Sequence, residues 1–262
     1  MARVKGLEHL TLLGLAPPEF VTVAASAGFA AVGLRVSPAA AGEEPWPMSP
    51  GSAMLAQTVR RCAEAGVTVL DVEAIRLGPG AADGEPVLEV AAELGARYVN
   101  AVCEDPDLGR LSDQFANLVQ AAEQYGVRPV IEFMAYRSVR TLADAVAIAA
   151  RSGGGGIVVD ALHVRRCAVD LGELASVDPG LLTYLQLCDA PLSAPHDQVA
   201  EARTGRLLPG QGELPLADLL ATVPGTVPVA VEAPHPAGGL EPAEFAARAR
   251  QALDLVLTKE QS

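Results

Sequence analysis

The chain has few positively charged and few aromatic residues, and both shortages limit what it can do. Of its 262 residues, 19 are lysine or arginine and 32 are aspartate or glutamate, which gives a formal net charge of -13 at pH 7. Binding of nucleic acid requires a basic surface that neutralises phosphates, so this charge argues against a nucleic-acid partner. Lysine occurs only at Lys5 and Lys259. That scarcity disfavours Schiff-base chemistry, which needs a lysine presented from a strand.

Cysteines and long apolar segments are also scarce. The four cysteines form no Cys-x-x-Cys pair, so neither a disulfide framework nor a zinc knuckle is expected. Glu8 and His9 interrupt the apolar N-terminal run and no small-residue cleavage site follows, so a signal peptide is not expected. No uninterrupted apolar segment reaches the ~20 residues that cross a bilayer. We therefore expect a cytoplasmic protein without a membrane partner.

What the sequence does contain is a repeated phrase: an alanine-rich helix end, a glycine and a short β-branched run, as in "CAEAGVTVLDVEAI" and "AAEQYGVRPVIEFM". A glycine suits the left-handed position that closes a helix, and the apolar run is typical of a strand buried on both faces. The repeated glycines are Gly28, Gly66, Gly95, Gly126 and Gly153. Their spacing fits repeating βα units. Helix starts are predicted at Pro17, Ser49-Pro50, Ser112-Asp113 and Glu241-Pro242.

Three further segments complete a set of eight strands: "LEHLTLLGL" in front, and "LLTYLQLCDA" and "VPVAVEA" behind. Eight parallel strands with intervening helices in this length predict a single-domain (β/α)₈ TIM barrel over residues 1–262. An open doubly wound sheet is the alternative architecture. It would carry a phosphate-binding glycine fingerprint after its first strand, and "LTLLGLAPPEF" has none.

Carboxylates follow most of the predicted strands. In a (β/α)₈ barrel the active site forms at the C-terminal ends of the strands. The strand-end carboxylates are Glu73, Glu104, Glu132, Asp160, Asp189 and Glu232. Converging carboxylates repel one another when desolvated, so cations must compensate them. From the residues alone, two sources remain open: nearby arginines, or a divalent metal such as magnesium or manganese that prefers oxygen ligands. The available arginines are Arg35, Arg76, Arg137, Arg165, Arg203 and Arg206.

The order of several motifs resembles a known family. The motifs are "IEFM", "VVDALHVRR", "LQLCDAP", "RTGRLLPGQGELPL" and "VAVEA", and they are similar to those of the xylose isomerase-like TIM barrels, or sugar phosphate isomerase/epimerase superfamily. The resemblance covers nearly the whole chain. It implies one divalent cation held by Glu132, Asp160, Gln186 and Glu232, with Gln186 standing where a histidine is usual. A glutamine carbonyl is a harder ligand than imidazole, which favours manganese or magnesium, with cobalt or zinc as alternatives.

The resemblance also implies roles for individual side chains. Glu132 and Glu232 would be the catalytic proton-transfer pair, and His163 would contact the substrate and take part in catalysis. Arg203, before the "PGQGE" turn, resembles the arginine that grips substrate oxygens.

Three more candidates come from their positions in the predicted barrel. Trp46 lies in the loop after the second strand, where it is either a lid over the pocket or packed on the second helix. Glu73 is either a pocket wall or the partner of Arg76 or Arg35. His9, in the predicted first strand, either lines the pocket floor or is a satisfied core histidine.

Together these expectations describe a metal-dependent isomerase or epimerase that transfers a proton at carbon in a sugar or related small polyhydroxy carbonyl compound. If a β-hydroxyl leaves instead, the same residues make a lyase, a dehydratase of a keto-sugar or cyclic hydroxy-ketone. A non-catalytic binding barrel is supported only by Gln186. An abasic-site endonuclease is disfavoured by the presence of only four histidines and by the net charge. The expected partner is a small-molecule substrate, and the resemblance is compatible with a homo-oligomer.

Overall fold

The protein is a closed barrel of eight parallel strands. A computed structural model describes residues 3–38, 44–236 and 238–259. The strands are hydrogen-bonded in chain order, and the first also pairs with the eighth. The strands are β1 (Lys5–Glu8), β2 (Ala31–Arg35), β3 (Thr68–Leu77), β4 (Tyr98–Cys103), β5 (Arg128–Glu132), β6 (Gly156–Asp160), β7 (Leu182–Leu187) and β8 (Val229–Val231). This topology confirms the predicted TIM barrel and excludes the open doubly wound sheet.

Helices alternate with the strands. They are α1 (Pro17–Ser26), α2 (Ala53–Ala65), α3 (Glu85–Leu94), α4 (Leu108–Ala122), α5 (Leu142–Arg151), α6 (Ala161–Arg166), α7 (Leu171–Ala175), α8 (Gln198–Ala200), α9 (Leu216–Ala221) and α10 (Pro242–Lys259). Short 3₁₀ turns cover His9–Leu12 and Glu123–Tyr125, and one π-helical turn covers Glu201–Gly205. Among the described helices, none is long and apolar enough to cross a bilayer.

Glycines close several helices as the repeated phrase predicts. Gly66 and Gly95 end α2 and α3 with φ of 66° and 65°, in the left-handed region. Their amides donate to carbonyls of the preceding turn, and a side chain with a Cβ would be strained at these positions.

Two predicted helix starts are wrong in position. Helix α2 begins at Ala53, because the Ser52 hydroxyl caps it by accepting from the Leu55 amide at 3.2 Å. Helix α4 begins at Leu108, where the Asp107 carboxylate accepts from the Arg110 amide. Ser112 is buried inside α4. In both cases the residue that caps the helix lies close to the predicted one, and it has the extended backbone that a cap requires.

The first strand is shorter than predicted, and this corrects the interpretation of His9. Strand β1 ends at Glu8 and the chain turns into the 3₁₀ segment that His9 opens. The His9 Nε2 is 2.9 Å from the Leu15 carbonyl, its Nδ1 accepts from the Arg35 amide at 3.2 Å, and its ring stacks on Phe20. Burial lowers the His9 pKa to about 4. His9 is therefore a satisfied core histidine and does not line the pocket.

The barrel interior has an apolar layer beneath a polar layer. One buried cluster takes its members from the strands of the barrel: Ala31, Leu70, Tyr98, Val130, Val158, Tyr184 and Ala230. Successive side chains of a strand point to opposite faces, so the next inward position lies two residues further on. On five of these strands that position is polar: Asn100, Glu132, Asp160, Gln186 and Glu232. The two-residue period of the strands therefore places a ring of polar side chains at the barrel mouth.

Two further carboxylates fill the interior beside Gly33. A Cβ added to Gly33 would lie 1.7 Å from Glu8 Oε2 and 2.5 Å from Asp71 Oδ1. Both carboxylates are fully buried. Burial raises the pKa of Glu8 well above its ordinary value and that of Asp71 to about 8, and each is raised further by neighbouring carboxylates. The absence of a side chain at Gly33 therefore makes room for an acid pair that holds a proton at neutral pH.

We expect Gly33→Ala to lower the free energy of unfolding by about 1–3 kcal/mol, the usual cost of overpacking a closed core. Urea unfolding measures this. Gly14→Ala is the matched control, because a Cβ added there meets nothing within 4 Å. Equal stability of the two variants would show that the interior carboxylates move aside freely.

We also expect the stability of the protein to fall as pH rises towards and through about 8. Asp71 has a pKa of about 8 in the fold against an ordinary 3.8. A raised carboxyl pKa stabilises the fold fully below the unfolded pKa, and this stabilisation is lost as pH rises through the folded pKa. Unfolding measured from about pH 6 to about pH 9 should show a shallower decline for Asp71→Asn, which cannot ionise. An unchanged slope in that variant would contradict the assignment.

Candidate active site

The polar ring opens into a small cavity at the C-terminal ends of the strands. The cavity has a volume of about 80 Å³. Five of the residues predicted from the sequence line it: Glu73, Glu132, His163, Arg203 and Glu232. Asp160 and Gln186 are fully buried at 0% exposure in the same ring. These seven predicted residues therefore lie together at the C-terminal end of the barrel.

The Asp-x-x-His pair is a helix cap that places the histidine. Strand β6 leads directly into α6, and Asp160 Oδ1 accepts from the amides of Leu162 and His163 at 2.7 and 3.2 Å. The cap fixes the first turn of α6, so the His163 Nε2 lies 3.5 Å from Glu132 Oε1. The ring of Tyr136 meets the His163 ring edge-on at 5.6 Å. Because His163 follows Asp160 by three residues, the Asp160 side chain caps the helix that carries His163.

A buried arginine joins two of the predicted metal-ligand carboxylates. Arg206 Nη1 lies 2.5 Å from Asp160 Oδ2 and 2.9 Å from Glu232 Oε2. The sequence prediction chose Arg203 as the arginine that grips oxygens, but its side chain is exposed at the rim of the cavity. Arg203 lies within the π-helical turn and is exposed, whereas Arg206 follows that turn and is buried. Both were visible in "RTGRLLPGQG", and only the loop conformation distinguishes them.

Asp189 has a structural role in holding that loop. Its backbone exchanges two hydrogen bonds of 2.8 Å with Leu207. Its carboxylate accepts from the amides of Ala190, Gly210 and Leu214. This strand-end carboxylate therefore fixes the turn that follows Arg206 and takes no place in the cavity.

The four ionisable groups at the centre of the site have shifted pKa values. Burial, followed by repulsion from Asp160, raises the pKa of Glu132 to about 8. Burial also raises the pKa of Glu232 well above its ordinary value. Burial alone would raise the pKa of Asp160 too, but the Arg206 guanidinium holds it below the usual range. Burial lowers the pKa of His163 to about 4. At neutral pH His163 is therefore neutral, and Glu132 favours its protonated form.

The donor atoms fit a divalent cation. Within the described part of the chain, the ligand atoms of Glu132, Asp160 and His163 lie within 4.8 Å of one another, all buried. Glu232 is not in that group. Gln186 donates its Nε2 to Glu232 Oε1 at 3.4 Å, while its buried Oε1 has no hydrogen-bond partner among the described residues. Neither ring nitrogen of His163 has one there either. These orphaned donor atoms, next to carboxylates with raised pKa values, are a set that a metal ion would satisfy.

Glu73 and Trp46 were each predicted with two alternative roles. Glu73 forms a buried ion pair with Arg35 at 2.6 Å, so it is an arginine partner that also lines the cavity. Trp46 is half-buried against the hydrophobic core, and its Nε1 donates to the Leu13 carbonyl at 3.3 Å. Trp46 is not among the residues that line the cavity, so the structure agrees with the packing alternative, and a lid over a bound substrate stays a prediction.

Sequence reasoning missed several residues of the site. Asn100 donates its Nδ2 to Glu132 Oε2 at 3.2 Å and so fixes that carboxylate. Tyr136 and Arg137, from the loop after β5, also line the cavity. Arg137 contacts Glu104 at 2.5 Å, and Arg76 contacts the same carboxylate. An asparagine inside the apolar run "YVNAV" was a signal for Asn100, because a buried amide in a strand needs a polar partner.

The sequence matches one family model. The model is described as xylose isomerase-like TIM barrel, and it matches residues 21–255. Among curated proteins, none is significantly similar in sequence.

Solved structures share the fold at low sequence identity. A fusion of a xylose isomerase-like TIM barrel with 4-hydroxyphenylpyruvate dioxygenase has a TM-score of 0.83 and 21% identity, over 99% of this chain and 44% of that chain. The IolI protein with a bound zinc atom has a TM-score of 0.74 and 17% identity, over 98% of each chain. D-psicose 3-epimerase in the presence of D-fructose has a TM-score of 0.75 and 15% identity, over 98% of this chain and 99% of that chain. This chain thus spans less than half of the fusion protein.

We expect the affinity of the site for Mn²⁺ to rise with pH up to about 8. Metal ligands must be deprotonated, so the ion competes with the proton on Glu132, whose pKa is raised to about 8. For each proton displaced, the affinity should change about tenfold per pH unit below the pKa. Titration calorimetry in buffers of different ionisation enthalpy measures both the affinity and the protons released. Glu132→Gln should bind Mn²⁺ more weakly and with a smaller pH slope, and an affinity independent of pH would contradict this site.

Proposed function

Because the chain belongs to the xylose isomerase-like TIM barrel family, we propose that it is a metal-dependent isomerase or epimerase. Its substrate class would be a sugar or a related small polyhydroxy carbonyl compound, and the reaction a proton transfer at carbon. The observation that carries the proposal is a pair of buried carboxyls with raised pKa values, Glu132 and Glu232, lining one cavity. The likeness to D-psicose 3-epimerase supports the reaction class.

The metal would be held by Glu132, Asp160, Gln186 and Glu232. Oxygen ligands predominate in this set, which favours manganese or magnesium over cobalt or zinc. When bound, such an ion polarises a carbonyl oxygen and stabilises the negative charge that develops as a proton leaves carbon.

Glu132 is the better placed of the two carboxylates to take a proton from carbon. Asn100 holds one of its oxygens, and the other faces His163. A general base is most effective when its pKa lies near the working pH, and burial brings the pKa of Glu132 to about 8. Glu232 is carried on the other side of the ring, after β8. Return of the proton by Glu232 to the opposite face would give an epimer, and return to the neighbouring carbon would give an isomer.

The remaining polar residues would orient the substrate. A neutral His163 has one donor and one acceptor nitrogen, so it can bridge a substrate hydroxyl and Glu132. Arg203, exposed at the rim, would bind a distal oxygen. The Arg35–Glu73 pair closes the side of the cavity at β2 and β3, which limits the access of water to the reacting carbon.

The test is a screen of ketoses and cyclic hydroxy-ketones with Mn²⁺-loaded protein. Glu132→Gln and Glu232→Gln should each lower kcat by roughly 10²–10⁴-fold, the usual worth of a positioned acid or base. Glu89→Gln, an exposed glutamate of α3, is the control and should keep full activity.

Substrate deuterated at the reacting carbon gives the sharper measurement. A primary isotope effect in single turnover is expected, because the C–H bond breaks in the chemical step. Full activity of Glu132→Gln without an isotope effect would refute the mechanism. A product that has lost water would instead identify the protein as a dehydratase.

A further inference from the structure

The Arg206 guanidinium occupies the point between two carboxylates that the proposed function assigns to a metal. One nitrogen atom, Nη1, contacts both Asp160 Oδ2 at 2.5 Å and Glu232 Oε2 at 2.9 Å. A divalent ion bridging the same two oxygens would lie roughly 2.0–2.6 Å from each. The nitrogen and such an ion would therefore compete for nearly the same position.

Arg206 is built into this position by its own loop. Its Nε donates to the Ala202 carbonyl at 2.8 Å, and Nη1 also approaches the Glu232 carbonyl at 3.5 Å and Cys188 Sγ at 3.8 Å. The side chain is almost entirely buried. The π-helical turn that precedes it is held by a buried ion pair, Glu201 with Arg166 of α6, at 2.6 Å. The loop thus delivers the guanidinium to the two carboxylates.

We propose that Arg206 is an internal counter-cation of the site, and that a divalent metal displaces it from Asp160 and Glu232. The inference rests on the metal dependence of the proposed function. In the absence of metal, Arg206 neutralises carboxylates that would otherwise be buried and unpaired, which is costly. When the ion enters, it and the guanidinium repel each other between the same two oxygens, so the guanidinium leaves at least one of them. The affinity of the protein for metal is then set by this exchange.

The test compares the Mn²⁺ affinities of three variants, measured without substrate by the electron paramagnetic resonance signal of free Mn²⁺. Arg206→Gln removes the competing charge and should bind Mn²⁺ at least about tenfold more tightly than the wild type. Arg206→Lys keeps a cation and should stay nearer the wild type. Arg151→Gln is the matched control, because it removes the same charge from the exposed end of α5, and its affinity should change by less than about twofold.

An unchanged or lower Mn²⁺ affinity of Arg206→Gln overturns the proposal. If Arg206→Gln binds Mn²⁺ no more tightly than the wild type, or if neither protein binds it, then Arg206 does not compete with metal. Weaker binding would show that the arginine supports the ligands from outside the metal shell.

A measurement on the wild type covers the case in which Arg206→Gln does not fold. In crystals soaked with Mn²⁺, the guanidinium should have left at least one of the two carboxylates. A guanidinium still hydrogen-bonded to both, beside bound Mn²⁺, overturns the proposal. Neither experiment uses a substrate, so a failure of the isomerase assay leaves this inference standing. Binding of Mn²⁺ without displacement of Arg206 would overturn this inference alone and leave the proposed function standing.

Discussion

The balance of charge inside the barrel is the constraint on which the site depends. Six carboxylates are buried in or next to the mouth of the barrel: Glu8, Asp71, Glu73, Glu132, Asp160 and Glu232. Two buried arginines, Arg35 and Arg206, form ion pairs with them. An ionised carboxylate without a counter-charge is costly to bury, so the remaining negative charges need protons or a further cation. Burial raises the pKa values of Glu8, Asp71, Glu132 and Glu232, whereas Arg206 and backbone amides hold that of Asp160 below its usual range.

The structure meets this constraint in two ways. Beside β2, Glu8 and Asp71 fill the space left by Gly33, and their raised pKa values keep a proton there at neutral pH. At the mouth, ion pairing holds Asp160 ionised, while Glu132 and Glu232 have raised pKa values. Carboxyls that exchange protons near neutral pH are suited both to metal binding and to proton transfer at carbon, because each process requires the proton to leave.

Backbone geometry outside the ring decides where the charged groups lie. The Asp160 cap sets the direction of α6 and so brings His163 against Glu132. The Asp189 carboxylate fixes the turn after Arg206 through three amide donors. Without this turn, the Arg206 guanidinium would not lie between Asp160 and Glu232. The site is therefore held by hydrogen bonds to backbone as much as by its ion pairs.

The sequence by itself determined the barrel and the ring of polar residues. The glycine-closed repeats and apolar runs are local signals, and the two-residue period of a strand fixes which residues point inwards once the strands are known. The strand ends therefore predicted that Glu132, Asp160 and Glu232 would come together, and the family resemblance added Gln186. Local signals did not show that the chain turns away after Glu8 and buries His9 against Phe20, nor that Trp46 packs against the core. They also could not tell Arg206 from Arg203. Only the tertiary structure decided these points, because each depends on the path of a loop and on contacts between residues far apart in the chain.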